Sequence, residues 1–184
     1  FDERLGVPYP NDMDWVDEPG FEELVAMSQR GDDQSSAESY ARRAQKYANP
    51  KEQDYATPLI SSQSRDGVYV DTVEQPTVQA NLTRRYTDAA VQFIKRNRQH
   101  PFFVYLPYTM PHTPLFRSSD FVGKSIGGRY GDVVEEIDWS VGQGRQALRA
   151  WPWETHREGA RSRYGSGREG QSMRGRVPGA VTAP

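Results

Sequence analysis

A histidine that directly follows an apolar segment is the clearest candidate for chemistry in this 184-residue chain. His112 lies in the run Met110-Pro-His-Thr-Pro-Leu-Phe-Arg, a few residues after the apolar residues 102–106. An imidazole can transfer a proton near neutral pH and can donate a hydrogen bond to an oxygen that gains negative charge. Ligands of open α/β sheets bind beyond the carboxyl ends of the strands. The position of His112 therefore predicts a site at the end of a strand, although a lone histidine among apolar residues is more often structural.

The elements around His112 predict a helix, a strand, the histidine loop and a second helix. A helix beginning between residues 77 and 83 has one apolar face, basic residues in its last turn, and Pro101 after its end. Residues 102–106 are apolar at every position, which favours an interior strand of a largely parallel sheet. A second helix follows the glycine-rich turn of residues 127–131, with its inward positions at Val133, Val134, Ile137 and Val141. This alternation predicts the α/β class.

The N-terminal part is more polar and gives weaker signals. Residues 5–13 are rich in turn formers, and residues 14–55 show only weak helical spacing, interrupted by a loop at residues 31–36. Two short strands are predicted at residues 57–61 and 67–73.

The composition limits the classes of protein that fit. Only 35% of the residues are hydrophobic and the mean hydropathy is −0.85, so part of the chain is expected to lie outside any core. The absence of cysteine excludes disulfides and thiolate chemistry within this sequence. No run approaches the roughly 18 apolar residues of a membrane span, so no membrane partner is expected. Because the chain begins at Phe1, its localisation cannot be determined from its own terminus.

The charge divides the chain near residue 142. Residues 142–184 hold eight arginines and three glutamates, a net charge of +5, whereas residues 1–141 carry a net charge of −7. Three interpretations of the Arg/Gly-rich tail remain open: a disordered basic segment, a nucleic-acid-binding arm, or an out-of-frame translation of GC-rich DNA. Our hypothesis is the frameshift, because the composition changes abruptly inside a predicted helix.

Four blocks in order resemble one known family. Residues 1–13, Leu82-Thr-Arg-Arg-Tyr-Thr-Asp-Ala-Ala-Val-Gln-Phe-Ile, residues 101–116 and Tyr130-Gly-Asp-Val-Val-Glu-Glu-Ile-Asp-Trp-Ser-Val-Gly are similar to the type I, formylglycine-dependent sulfatases, in their arylsulfatase branch. The resemblance implies an alkaline-phosphatase-like α/β fold, a mixed sheet flanked by helices, here incomplete. Residues 1–143 would form the central part of a sulfatase catalytic domain, and residues 144–184 a disordered, possibly frameshifted, tail.

The resemblance also implies roles for individual residues. His112 matches the family histidine that contacts the sulfate and hydrogen-bonds the bridging ester oxygen, so we expect it to be both catalytic and substrate-binding. Where the family commonly has a serine after Pro-Tyr, this chain has Pro10, and the following Asn11 becomes a candidate substrate contact. The C/S-x-P-x-R motif that yields formylglycine does not occur here, and no metal ligand is assigned in this chain. Calcium is expected for the full-length family member.

The function implied by the resemblance is hydrolysis of sulfuric esters, with sulfated carbohydrates as a candidate substrate class and this chain as an inactive fragment. The alternative is a noncatalytic remnant with a basic nucleic-acid-binding tail, for which arginine-glycine richness is a signal of low specificity. Family resemblance suggests a periplasmic, secreted or lysosomal location.

Three other features have simpler interpretations. The acids Glu135, Glu136 and Asp138 predict a solvated helix face with one buried, hydrogen-bonded member. The sequence Asn81-Leu-Thr fits a glycosylation site or a helix cap equally well. The acidic pair Asp32-Asp33 does not match the family's metal motif.

Overall fold

The computed structural model of the chain describes residues 1–150, which contain four α-helices and one three-stranded sheet. In chain order the elements are β1 (Glu3–Gly6), α1 (Phe21–Gln29), α2 (Asp33–Ala48), β2 (Leu59–Arg65), β3 (Val68–Glu74), α3 (Leu82–Arg96) and α4 (Gly128–Arg149). The combination of helices with a sheet confirms the predicted α/β class. Most of the predicted tail, residues 151–184, lies outside the described residues.

The sheet is antiparallel in the order β1-β2-β3. Leu5 in β1 is paired with Ser61 in β2, and Leu59 at the start of β2 is paired with Glu74 at the end of β3. Strands β2 and β3 are joined by the two residues Asp66 and Gly67, with φ values of 52° and 78°. Asp-Gly tolerates this left-handed backbone, which matches the twist of a hairpin. The two predicted strands are therefore confirmed, and the structure pairs them as a hairpin. Strand β1 overlaps the start of the region predicted as turns.

The predicted interior strand at residues 102–106 does not form a strand in the structure. Its side chains alternate: Phe103 and Tyr105 are 70% and 62% exposed, whereas Phe102, Val104 and Leu106 are half-buried. A strand that is buried on both faces needs neighbours, and within residues 1–150 no strand pairs with this segment. The segment is extended, but the prediction of a parallel interior strand was wrong for the part of the chain described.

Helices α3 and α4 confirm the two helices predicted around the histidine loop. The buried face of α3 includes Leu82, Tyr86, Ala90 and Ile94, as its spacing predicted. The buried positions of α4 are partly polar, and they are Asp132, Val133, Glu136 and Ser140. Val134 and Val141, predicted to face inward, are 42% and 37% exposed. Helix α4 continues through the predicted domain boundary at residue 143 and ends at Arg149.

The core contains two clusters of buried hydrophobic residues, one with residues of α4 and one with residues of α3. One contains Tyr55, Met110, Phe116 and Val133, with Trp15, Ala80, Leu115 and Ile137 packed against it. The other contains Leu59, Leu82 and Tyr86, with Leu5, Val7, Leu106 and Tyr108 at its margin. Met110 and Phe116 belong to the first cluster, and they lie on either side of His112 in the sequence. The first cluster therefore anchors both ends of the histidine loop.

Candidate functional site

His112 is the half-buried centre of a loop whose ends are fixed in the core. Met110 is 3% exposed and Phe116 is 7% exposed, and Pro114 is fully buried between them. The backbone N–H of His112 donates to the carbonyl of Thr109 at 3.3 Å, which closes a tight turn before the ring. The loop therefore holds one polar ring among buried apolar anchors.

The ring of His112 has a defined orientation of its two nitrogens. Its Nδ1 lies 2.5 Å from the carbonyl oxygen of Thr113. A carbonyl oxygen only accepts, so Nδ1 carries the hydrogen in this contact. In the neutral ring the other nitrogen, Nε2, then carries the lone pair, and it can donate only when the ring is doubly protonated.

Asn11 lies beneath this loop and is fully buried. Its side-chain Nδ2 donates to the carbonyl oxygen of Pro114 at 3.1 Å and to Oε1 of Gln79 at 2.7 Å. Asn11 and Pro114 are 103 positions apart in the sequence, so the contact joins the N-terminal turn region to the histidine loop. The structure thus connects the two predicted site residues through Pro114, with Asn11 in the interior.

Two further buried side chains complete the network around Asn11. Thr57 Oγ1 donates to the backbone carbonyl of Asn11 at 3.1 Å. The Nε2 of Gln79 donates to the same carbonyl at 3.2 Å and to Thr57 Oγ1 at 3.0 Å. Because both hydrogens of Gln79 Nε2 are used, its Oε1 must face Asn11 Nδ2, and the orientation of both amides is fixed. The remaining buried acceptor, Asn11 Oδ1, has no partner among the described residues.

Two buried acids on α4 hold the segment that follows the histidine loop. Glu136 accepts the backbone N–H of Ser118 at 3.0 Å, and Asp132 accepts the backbone N–H groups of Gly123 and Ser125, each at 2.9 Å. Both acids are 1% exposed. The N–H groups of Ser125 and Gly123, together with the guanidinium of Arg117, hold the pKa of the Asp132 carboxyl below its usual value. Glu136 confirms the prediction of one buried, hydrogen-bonded acid, whereas Glu135 and Asp138 are exposed.

Hydroxyl contacts from α3 and α4 support the start of the loop. The hydroxyls of Tyr86 and Thr109 are 2.9 Å apart, and those of Tyr108 and Ser140 are 2.7 Å apart. Burial raises the pKa of both phenols, so they remain protonated and able to donate. The helix pair therefore positions the backbone on the N-terminal side of His112.

The close approach of Gly131 to Ser125 gives a testable prediction about this support. A Cβ at position 131 would lie 2.7 Å from Ser125 Cβ and would also clash with its hydroxyl. We expect Gly131→Ala to lower the free energy of unfolding by about 1–3 kcal/mol, measured by urea denaturation. The matched control is Gly142→Ala, where a Cβ meets nothing within 4 Å. Because alanine favours a helix more than glycine does, this control should raise the free energy of unfolding by up to about 1 kcal/mol.

Removing the obstructing side chain separates this clash from other causes. Ser125→Gly in the Gly131→Ala background should restore most of the lost stability. Equal effects at positions 131 and 142 would contradict the clash.

Sequence reasoning missed Gln79, Thr57 and Ser118. Gln79 had a usable signal, because it lies three residues before Leu82 and seven before Tyr86, on the buried face of the predicted helix. Thr57 and Ser118 had none, since their partners are 46 and 18 positions away.

Asn81 takes the N-cap position of α3, is exposed, and makes no side-chain cap hydrogen bond. Asp32 caps α2 by accepting the N–H of Ser35 at 3.3 Å.

Comparison with known proteins identifies a family whose members resemble this chain. The Sulfatase family model matches residues 45–151, which include His112, Glu136 and Gln79. Steryl-sulfatase of Homo sapiens is 55% identical over 73 residues, which are 40% of this chain and 12% of that protein. N-acetylgalactosamine-6-sulfatase is 47% identical over 73 residues in Mus musculus and 50% identical over 68 residues in Homo sapiens. These matches cover 39% and 36% of this chain, and 14% and 13% of the relatives.

The chain belongs to the Sulfatase family, because the family model covers more than half of it. The aligned segments span 12% to 14% of the length of these curated relatives. Among the helices of residues 1–150, none is long and apolar enough to cross a membrane.

Membership in this family is consistent with a metal-dependent enzyme. Within residues 1–150, no group of three or more histidine, aspartate or glutamate side chains could hold one. Asp132 and Glu136 already accept backbone N–H groups and act as loop anchors. The described residues therefore do not fit a calcium site by themselves.

Proposed function

We propose that this chain is the central part of the catalytic domain of an arylsulfatase-like sulfuric ester hydrolase. The observation that carries the proposal is the fixed ring of His112, whose Nδ1 is held by the Thr113 carbonyl and whose Nε2 is left for a substrate. The family match over residues 45–151 supports the class of reaction. The names of the N-acetylgalactosamine-6-sulfatase relatives support a sulfated carbohydrate as substrate.

In this proposal His112 donates a proton from Nε2 to the bridging oxygen of the ester. As the S–O bond breaks, both bonding electrons go to that oxygen, and the proton from Nε2 neutralises it. Because Nδ1 keeps its hydrogen toward Thr113, the donating form is the imidazolium and the product form is the neutral ring. In the family the nucleophile is formylglycine, with calcium beside it, and both would come from segments outside this sequence.

The isolated 184-residue chain is therefore proposed to be inactive. Its sequence has no C/S-x-P-x-R motif to supply the nucleophile. The division into a catalytic part, residues 1–143, and an Arg/Gly-rich tail, residues 144–184, remains part of this proposal.

A chimera tests the proposed function. Residues 45–151 would replace the corresponding segment of Homo sapiens steryl-sulfatase, which supplies the segments that this chain lacks. We expect the chimera to hydrolyse an aryl sulfate well above background and the isolated chain to give none. A chimera that is folded and processed but inactive would contradict the proposal.

The alternative function, nucleic-acid binding, rests on the net charge of +5 in residues 142–184. Phosphate contacts of this kind weaken steeply with salt. A gel shift with single-stranded RNA and a salt titration separates the two functions. Retardation that is lost as salt increases would favour the alternative, whereas no retardation at low salt would remove it.

A further inference from the structure

We infer that Asn11 is a positioning residue that sets the tautomer of His112 through Pro114, a role that rests on the proposed function of His112. Asn11 is fully buried, so in this structure its amide meets the histidine loop from inside the protein. It reaches that loop through the 3.1 Å hydrogen bond from Nδ2 to the Pro114 carbonyl.

Proline makes this contact a rigid connection to the neighbouring peptide. The nitrogen of the Thr113–Pro114 peptide is part of the buried Pro114 ring and φ is locked by that ring, so a hydrogen bond that holds the Pro114 carbonyl restricts the movement of this peptide. The carbonyl of that peptide, Thr113 O, is the group that accepts from Nδ1 of His112 at 2.5 Å. Asn11 therefore acts on the imidazole through one residue that cannot rotate about φ.

The network behind Asn11 keeps the amide in the required orientation. Pro114 O can only accept, so Nδ2 must face it, and Gln79 Oε1 accepts the second hydrogen of the same nitrogen at 2.7 Å. Gln79 in turn is held by Thr57. No rotation of either amide about its last bond preserves these contacts.

The consequence concerns which nitrogen of His112 faces the substrate. Loss of the Thr113 contact would release the ring to the Nε2–H tautomer that free histidine prefers. The neutral ring would then present a donor at Nε2 where the intact loop presents a lone pair. Asn11 thus determines the protonation pattern of a ring that it does not touch.

The test is nitrogen-15 NMR of the full 184-residue chain labelled at histidine, at a pH of about 8.5, where imidazole is neutral. The chain has three histidines, and a His112→Gln sample assigns the His112 signals by their loss. We expect the Nδ1–H tautomer in the unmodified chain. A dominant Nε2–H tautomer there would overturn the inference without any variant.

Two variants separate positioning from stability. Asn11→Ala removes the donor to Pro114 and should lower the ratio of the Nδ1–H to the Nε2–H tautomer about tenfold, the factor expected for roughly one hydrogen bond. Thr57→Val breaks the same network but leaves the Asn11–Pro114 contact, so it should lower stability and leave the tautomer unchanged. An unchanged tautomer in Asn11→Ala, or an equal change in Thr57→Val, would overturn the inference. If Asn11→Ala does not fold, Asn11→Leu, which has a similar volume and no side-chain donor, replaces it under the same criteria.

Activity of the steryl-sulfatase chimera distinguishes a failure of the proposed function. A loss of kcat on His112→Ala in the chimera supports the substrate role. If His112→Ala leaves kcat of the chimera unchanged while Asn11→Ala changes the tautomer in the 184-residue chain, the substrate role fails and the positioning role of Asn11 stands.

Discussion

The substitution His112→Ala is expected to lower kcat of the sulfatase chimera by about 10²- to 10⁴-fold, the range for loss of a general acid. The reason is the fixed ring: the loop between Met110 and Phe116 holds a single imidazole, and Nε2 is its free nitrogen. The measurement is steady-state hydrolysis of aryl sulfates at saturating substrate. KM should change less than kcat, because the proton is needed when the S–O bond breaks.

The leaving group provides a sharper form of the same prediction. A phenolate of low basicity needs little protonation, so its sulfate ester should lose the least on His112→Ala. An alkyl or sugar sulfate, whose leaving oxygen is strongly basic, should lose the most. His100→Ala is the control, since His100 is exposed beyond the end of α3 and should leave kcat unchanged for every substrate. A loss that is the same for all leaving groups would contradict proton donation by His112.

The sequence predicted the elements around His112 better than the contacts that hold it. Local signals were sufficient for α3, because its apolar spacing, its basic last turn and Pro101 all act within a few residues. They were also sufficient for the two strands β2 and β3, although the Asp66-Gly67 turn that joins them as a hairpin was seen only in the structure. Among Glu135, Glu136 and Asp138, the burial of one acid was predictable from the helical spacing of the apolar neighbours, whereas the burial of Asp132 was not predicted.

The strand prediction at residues 102–106 failed for a physical reason. A continuous run of apolar residues indicates that a segment tends to be buried. A strand, however, forms only where a neighbouring backbone pairs with it through hydrogen bonds. Within the described residues that neighbour is missing, so Phe103 and Tyr105 remain exposed. A local pattern therefore predicts an extended backbone, whereas its pairing depends on residues far away in the sequence.

The burial of Asn11 could not be predicted from its neighbours in the sequence, for the same reason. The sequence Pro-Asn-Asp is typical of an exposed turn, and its neighbour Asp12 accepts the hydroxyl of Tyr47 at 2.7 Å. Asn11 is covered by Thr57, Gln79 and Pro114, which lie 46, 68 and 103 positions away. The prediction that Asn11 contacts the substrate is untested, and its burial favours the positioning role inferred above.

The substitution Asn11→Asp is expected to lower the free energy of unfolding by about 3–5 kcal/mol at pH 7, the range for a buried charge left without a partner. The change is nearly isosteric, yet it replaces the donor Nδ2 by an oxygen that faces two acceptors, Pro114 O and Gln79 Oε1. Gln79 cannot turn to help, because both of its hydrogens are held by the Asn11 carbonyl and Thr57. The exposed Asn81 gives the matched control: Asn81→Asp should change stability by at most about 1 kcal/mol, in the stabilising direction expected at a helix N-terminus.

The pH dependence identifies the charge as the cause. Burial without donors raises the folded-state pKa of the introduced carboxyl above the value of about 3.9 in the unfolded chain. Below that unfolded value the carboxyl is neutral in both states, and its one O–H can still donate to one of the two acceptors, so the loss of stability is smallest there. Above it the unfolded state ionises first, and the loss grows by about 1.4 kcal/mol per pH unit until the folded pKa is reached. Urea denaturation of the unmodified chain and the variant across this range measures the difference between them. A difference that does not vary with pH would mean that shape or packing, rather than the missing donor, makes Asn11 necessary beneath the histidine loop.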